Sequence, residues 1–342
     1  MGREPKRPVG ISTVYVPPEG IKTVADVCFV HGLGGHREET WTCTGSQKNS
    51  STFQKCLRKL KTGTSTPANE TEASDQHNVF WPKDLLRQDL ENVRIMMWGY
   101  DSAFTGLLSG SNQSSLLGYG KSLLNDLTIK RRDEKNRPLI LVGHGLGGLI
   151  IQSALFESST SVLEWEIIYP STRGVIFMGT PLRGSPLAKY GKHLDFVAQA
   201  CQKSPNSQLV DSLRTDSHIL EVLRENFEKV RDDDRLTLAC FYEQYQTSIP
   251  IVGSKHVVPA SCAGMDGKKV KKMAIPGDHR TMCKFDSRDS PGYNTVMGQL
   301  QRIVDVIIEE SKKTVSEEQE RTRARHEAKR WPISTPPPGY FP

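Results

Sequence analysis

Residues 139–152 run Leu-Ile-Leu-Val-Gly-His-Gly-Leu-Gly-Gly-Leu-Ile-Ile-Gln. An apolar run, Leu139 to Val142, enters the turn Gly143-His144-Gly145-Leu146-Gly147, and an apolar helix is expected from Gly148. This is the strand–turn–helix setting of G-x-S-x-G, in which a sharp turn lifts a central serine clear of the backbone as the attacking group of an acyl transfer. Here the centre of the turn is Gly145. Everything needed to aim a hydroxyl is written into the segment, and the hydroxyl is absent.

Such a turn needs buried strands beneath it, and the chain supplies them in alternation with helices. Ile11–Val16 alternates like an edge strand, and Val24–Val30 reads as a buried strand that ends at His31-Gly32-Leu33-Gly34-Gly35. A short helix is expected after Trp81-Pro82, with Pro in its first turn, then a strand over Val93–Trp98. Gly106–Gly120 is rich in Gly and Ser and leads into a helix over Tyr119–Arg131, and Pro138 opens the strand before the turn. Helix 148–157 follows it, then a strand over Gly174–Met178 closed by Gly179-Thr180-Pro181. Residues 185–230 carry two or three amphipathic helices, and Leu236–Tyr242 and the lysine-rich Val270–Ile275 add two strands. The last amphipathic helix is expected over Asn294–Ile308. The order predicts an α/β fold, a mainly parallel sheet with helices on both faces. Residues 43–78, rich in Ser, Thr, Asn and Lys, read as an inserted loop. The expected organisation is one domain over residues 1–311, then a charged helix and Pro-rich linker over 312–342.

The composition narrows the setting. With 342 residues and 36% hydrophobic content the chain can bury a substantial core. The net charge of +6 is spread over short clusters such as Lys268-Lys269, Lys271-Lys272 and Arg321 to Arg330, a pattern of solvated surface rather than of nucleic-acid binding. Seven cysteines occur with no C-x-x-C pair, and Met1-Gly2-Arg3-Glu4-Pro5-Lys6 has neither an apolar signal core nor the hydroxyl residue that myristoylation requires at position 6. A reducing, cytoplasmic location is expected, so the sequons at Asn49, Asn69 and Asn112 carry no weight. No apolar run approaches the roughly 20 residues of a membrane span. Peripheral contact with anionic lipid stays open through the diffuse lysines.

Four stretches together resemble the α/β-hydrolase superfamily: Phe29-Val30-His31-Gly32-Leu33-Gly34-Gly35, Phe80-Trp81-Pro82-Lys83-Asp84-Leu85-Leu86, Gly143 to Gly148, and Gly179-Thr180-Pro181-Leu182-Arg183-Gly184-Ser185. The segment Asp278-His279-Arg280 through Lys284-Phe285-Asp286 is similar too, so the resemblance spans about residues 10–310. More narrowly, the chain resembles the lipase-like serine esterases that include the serine-active-site-containing phospholipid-remodelling proteins and the N-terminal hydrolase domains of fungal NOD-like receptors. The resemblance implies an α/β-hydrolase fold with a helical cap over residues 185–230. It also implies an oxyanion hole from the backbone N–H groups of Leu33 and Leu146, with His31, Gly32 and His144 on the substrate side. The base it implies is His279, after the last strand. The acid is Glu243, the one carboxylate between Asp234 and Asp266, with Asp101 as runner-up.

Gly145 stands where that family carries serine, and this keeps two function classes open. One is a carboxylic-ester hydrolase scaffold for a small-molecule or lipid ester, with His279 and Glu243 acting on water. The other is a catalytically silent hydrolase-like domain used for ligand sensing, or for assembly beside a signalling module of a larger protein. A serine replaced by design would read the same way. Ser153, two turns along the helix, and Ser185, at the cap of the next one, are poor substitutes for the missing hydroxyl. Gly143-x-Gly145-x-x-Gly148 matches a dinucleotide fingerprint formally, but no acidic residue ends a second strand about 20 residues on. No metal-ligand spacing occurs, and no cofactor is expected.

Overall fold

The apolar runs pair as one twisted sheet. A computed structural model describes residues 8–45, 78–100, 102, 116–162, 165–182, 217–249, 253–265, 267 and 270–330. Most of the inserted loop, the proposed cap up to residue 216, Asp101, Ser185 and the Pro-rich tail lie outside the described residues. The strands of this sheet are β1 (Gly10–Tyr15), β2 (Ala25–Val30), β3 (Val93–Gly99), β4 (Leu139–His144), β5 (Thr172–Met178), β6 (Thr237–Glu243) and β7 (Val270–Ile275). Their order is β1-β3-β2-β4-β5-β6-β7. Within it β1 alone runs antiparallel to its neighbour, and two short antiparallel ribbons, Thr42–Cys43 with Val79–Phe80 and Thr247–Ile249 with Gly253–Lys255, stand apart from it.

Strands β2 and β4 are buried along their whole length, which is why they read as continuous apolar runs rather than alternating ones. Alternate side chains feed two cores. Val27, Phe29, Ile140 and Val142 point to one face, and Cys28, Val30, Leu139 and Leu141 to the other. Strand β7 lies at the sheet edge, and its exposed Lys271 and Lys272 are of the type that blunts an edge against further pairing.

The second face carries α3 (Leu116–Lys130), α4 (Leu146–Thr160), the short α5 (Ile168–Ser171) and α6 (Ser217–Arg231). The first is covered by an aromatic cluster of Trp41, Trp81, Phe285 and Tyr293, by the short helices α1 (Trp81–Asp84) and α2 (Leu86–Asp89), and by α7 (Pro291–Arg330). The expected stop at Ile308 is not there: α7 runs on without interruption to Arg330. Its apolar positions end at Ile308, but no Gly or Pro follows to break the helix, and pairs such as Lys313–Glu317 and Arg323–Glu327 line its exposed second half.

Strand order reverses at β2. The chain leaves β2 for β3 on one side and later returns to β4 on the other. In an open α/β sheet the crevice beyond the carboxyl ends of such a pair is where ligands settle. The turn after β2 and the turn at Gly145 flank that crevice.

Candidate functional site

The turn after β4 is set by backbone. Gly145 has φ +52° and ψ −121°, the conformation of the first central residue of a type II′ turn, open to glycine and strained for any other residue. Its N–H donates to Met178 O at 2.9 Å, and its own carbonyl accepts the N–H of Gly148 at 3.2 Å. Leu146 is the first residue of α4, so its N–H belongs to the first turn that the helix itself leaves without acceptors. Leu33 stands on the facing turn, and both leucines line the same cleft of about 260 Å³ with Gly32, His144, Gly145 and His279.

Glu243, the last residue of β6, is buried at the same sheet edge. Its Oε2 accepts His279 Nδ1–H at 2.9 Å, and its Oε1 accepts the Val258 N–H at 3.1 Å. Half-exposed His256 comes within 4.0 Å of the same Oε1. His279 sits in a turn held by Asp278, whose Oδ1 accepts the N–H groups of Arg280 and Thr281. The His279 N–H donates to Thr247 Oγ1 at 3.1 Å, and its carbonyl accepts His144 Nε2–H at 2.9 Å. His279 is thus held at three points, its ring by Glu243 and its backbone by Thr247 and His144. With Nδ1 as donor to a carboxylate, Nε2 is the basic nitrogen. It faces the turn: a Cβ built on Gly145 would lie 3.4 Å from it.

His144 has a different task. Burial, reinforced by the neighbouring His279, holds its pKa down at about 3, so it is a neutral donor to the His279 carbonyl. His31 stands one layer back. It is buried, stacks on Tyr100 at 4.5 Å, and donates Nδ1–H to the Gly32 carbonyl at 3.0 Å. It supports the turn after β2 and is not among the residues lining the cleft. Ser153 is fully buried with its hydroxyl toward Gly120 of α3, away from the cleft.

Sequence reasoning brought Gly32, Leu33, His144, Gly145, Leu146, Glu243 and His279 to one place, and it missed four supports. Thr247 and the Val258 N–H hold His279 and Glu243 in place. Gly179, at φ +57°, passes so close to the imidazole that a Cβ there would lie 2.9 Å from His279 Nδ1. Lys284 lines the cleft beside His279 and Arg280. Gly179 and Lys284 lie inside the stretches that carried the resemblance, so their positions were visible although their tasks were not. Trp81 also gains a reason: its indole N–H donates to Cys283 O at 2.9 Å, pinning the loop that carries His279.

No family model matches the chain. Protein SERAC1 of Homo sapiens is 26% identical over 268 residues, covering 78% of this chain and 37% of the relative. Protein SERAC1 of Danio rerio is 27% identical over 282 residues, covering 81% and 39%. The chain therefore spans well under half the length of these relatives. Among solved structures, the mature Bacillus licheniformis lipase BlEst2 is 14% identical, covers 86% of this chain and 97% of its own, and gives a TM-score of 0.48. The type II thioesterase YbtT is 13% identical, with 87% and 97% covered and a TM-score of 0.39. The strand order, the helices on both sheet faces and the strand–turn–helix at Gly145 make this chain a protein of the α/β-hydrolase fold.

Proposed function

We propose that this domain is a carboxylic-ester hydrolase scaffold that works without a covalent intermediate. The observation that carries the reading is the buried Glu243–His279 pair at 2.9 Å, with Nε2 opening onto the turn where a serine would start. In this reading the N–H groups of Leu33 and Leu146 hold the acyl carbonyl oxygen. His279 Nε2 takes a proton from water as the water oxygen bonds to the carbonyl carbon. Glu243 stabilises the imidazolium, which returns the proton to the departing alkoxide, giving acid and alcohol. Turnover without a nucleophile is slow, on the order of the 10³–10⁴-fold over water that hydrolases retain when a triad member is removed.

The second reading is a catalytically silent domain for ligand sensing or for assembly in a larger protein, and Gly145 is what favours it. One paired experiment tests both. The native chain and Gly145→Ser are assayed with short- and long-chain p-nitrophenyl esters and with a fluorophosphonate probe. The hydrolase reading expects the serine variant to label and turn over, and the native chain to show slow turnover that Glu243→Gln abolishes. Labelling of the serine variant beside a native chain with no turnover above buffer selects the silent reading. If neither protein reacts, both the oxyanion hole and the Glu–His assignment fall.

A further inference from the structure

We propose that the cleft is a carboxylate site, which holds a free carboxylic acid in preference to its ester; this rests on the assignment of Leu33, Leu146, Glu243 and His279 made above. The reason lies in what Gly145 leaves in front of His279. A Cβ at that position would stand 3.4 Å from Nε2 and 3.8 Å from Gly32 Cα, so the space of a serine CH₂OH is bounded by the imidazole on one side and by bare backbone on the other. His279 is 5% exposed, and the structure gives its Nε2 no hydrogen-bond partner among the described residues. A ligand oxygen entering that space meets a single polar partner, and the partner is a ring nitrogen.

An ester carbonyl placed in the oxyanion hole offers Nε2 only an alkoxy oxygen, a poor acceptor. A carboxylate offers two equivalent acceptors. One is taken by the backbone N–H groups, and the other accepts Nε2–H from a protonated His279. That proton has a place to sit. Glu243 accepts from Nδ1 on the far side, and His144, the nearest other imidazole at 4.8 Å between ring centroids, is kept neutral by burial and does not compete for it.

Charge balance points the same way. Lys284 lines the cleft, is partly buried, and its ammonium has no ion-pair or hydrogen-bond partner among the described residues. Lys284 and Arg280 put two cationic side chains on the cleft wall against one exposed carboxylate, Glu39, so an anionic ligand meets a counter-charge there that a neutral ester cannot use. The remaining charges around the imidazole sit further out. Asp278 is committed to the backbone of its own turn, His256 faces the other oxygen of Glu243, Arg280 shares the wall with Lys284, and His36 and Glu39 stand at the outer rim, with Glu39 exposed.

The test is calorimetric titration of the full chain with octanoate and with methyl octanoate, at pH 6.5 and 8.5, in buffers of different ionisation enthalpy. Octanoate is expected to bind at least tenfold tighter than the methyl ester, with net proton uptake at pH 8.5. Glu243→Gln should cost octanoate about tenfold, because the buried Nδ1–H loses its anionic acceptor. Lys284→Gln should cost about two- to fivefold, the range of a partly exposed ion pair. Gly145→Ser should lose the preference for the acid, because its side chain fills the space the second oxygen needs. Equal binding of acid and ester, absence of octanoate binding at millimolar concentration, or full octanoate affinity in Gly145→Ser each overturns the proposal. Fluorophosphonate labelling of Gly145→Ser separates the two levels. Labelling without a carboxylate preference in the native chain sinks this inference alone, and failure to label with the preference absent sinks the site assignment with it. Should Gly145→Ser not fold, the acid–ester comparison in the native chain and the two glutamine variants still decide.

Discussion

The two edges of the central sheet use charge in opposite ways. At the amino edge Asp26, fully buried, accepts from three guanidinium groups: Arg94 at 2.7 and 2.8 Å, Arg131 at 2.9 Å and Arg137 at 3.3 Å. Arg131 is itself fully buried and also donates to Ser171 Oγ at 2.8 Å, and Arg137 holds Glu134 at 2.9 Å. The cluster ties β2, β3, the end of α3 and the starts of β4 and β5 together, and among the described residues it leaves no fully buried donor or acceptor unsatisfied. At the carboxyl edge Glu243 and His279 are buried too, but their network stops short. Glu243 and His279 are held by Val258, Thr247 and His144, and Nε2 is left facing the cleft. The same sheet satisfies one set of buried charges completely and leaves the other one hydrogen bond open. The open bond is where a ligand can contribute.

The largest expected effect tests the closed edge. Asp26→Ala leaves three guanidinium groups facing one another without an anion, one of them fully buried, and should destabilise the fold by about 3–5 kcal/mol. Urea unfolding measures it. Glu243→Gln, which keeps a hydrogen-bonding side chain at the same place and strands no guanidinium group, should cost less than half as much. Equal losses would show that the carboxyl edge is as much a structural clasp as the amino edge, and would erase the contrast.

The next effect is local to the open edge. Gly179→Ala places a Cβ 2.9 Å from His279 Nδ1, at a φ of +57° where a side chain is strained by about 1–3 kcal/mol. The imidazole must move off Glu243. In a Gly145→Ser background the added substitution should remove most fluorophosphonate labelling while the protein stays folded by circular dichroism. Labelling that survives it would mean that the Glu243–His279 bond is not what activates the serine.

How much of this was legible depended on whether a feature is local. The strands could be read because burial on both faces leaves runs such as Leu139–Val142 almost without polar residues, and the turn could be read because Gly143, Gly145 and Gly147 punctuate it. The edge position of β7 explains the lysines that made it look weak. That the helix ending at Ile308 and the charged helix from 312 are one element was missed, because the apolar stripe ends at Ile308 while the helix does not. Asp26 and its three arginines were invisible for another reason. They are up to 111 positions apart in sequence and share no motif, so only the register of β2 with β3 and β4 brings them together. Thr247 and Val258 were hidden in the same way, since each acts on His279 or Glu243 across the sheet edge, whereas Gly179 stood in a recognised stretch and hid only its closeness to the imidazole.

The smallest effect sharpens the comparison by pH. His144 is held near a pKa of about 3 in the folded chain, against 6.5 for a free imidazole, chiefly by burial. Below 6.5 the unfolded chain takes up a proton that the folded chain refuses. The stability this histidine contributes is therefore complete above pH 6.5 and is lost progressively as pH falls toward about 3. The loss follows one proton, about 1.4 kcal/mol per pH unit. His144→Gln keeps a donor for the His279 carbonyl and does not titrate, so its stability curve between pH 6.5 and 4.5 should be flatter than the native one by that slope. Parallel curves would mean that His144 takes its proton in the folded state after all. A charged His144 would then stand 4.8 Å from the His279 ring, and the carboxyl edge would no longer be held by a fixed neutral donor.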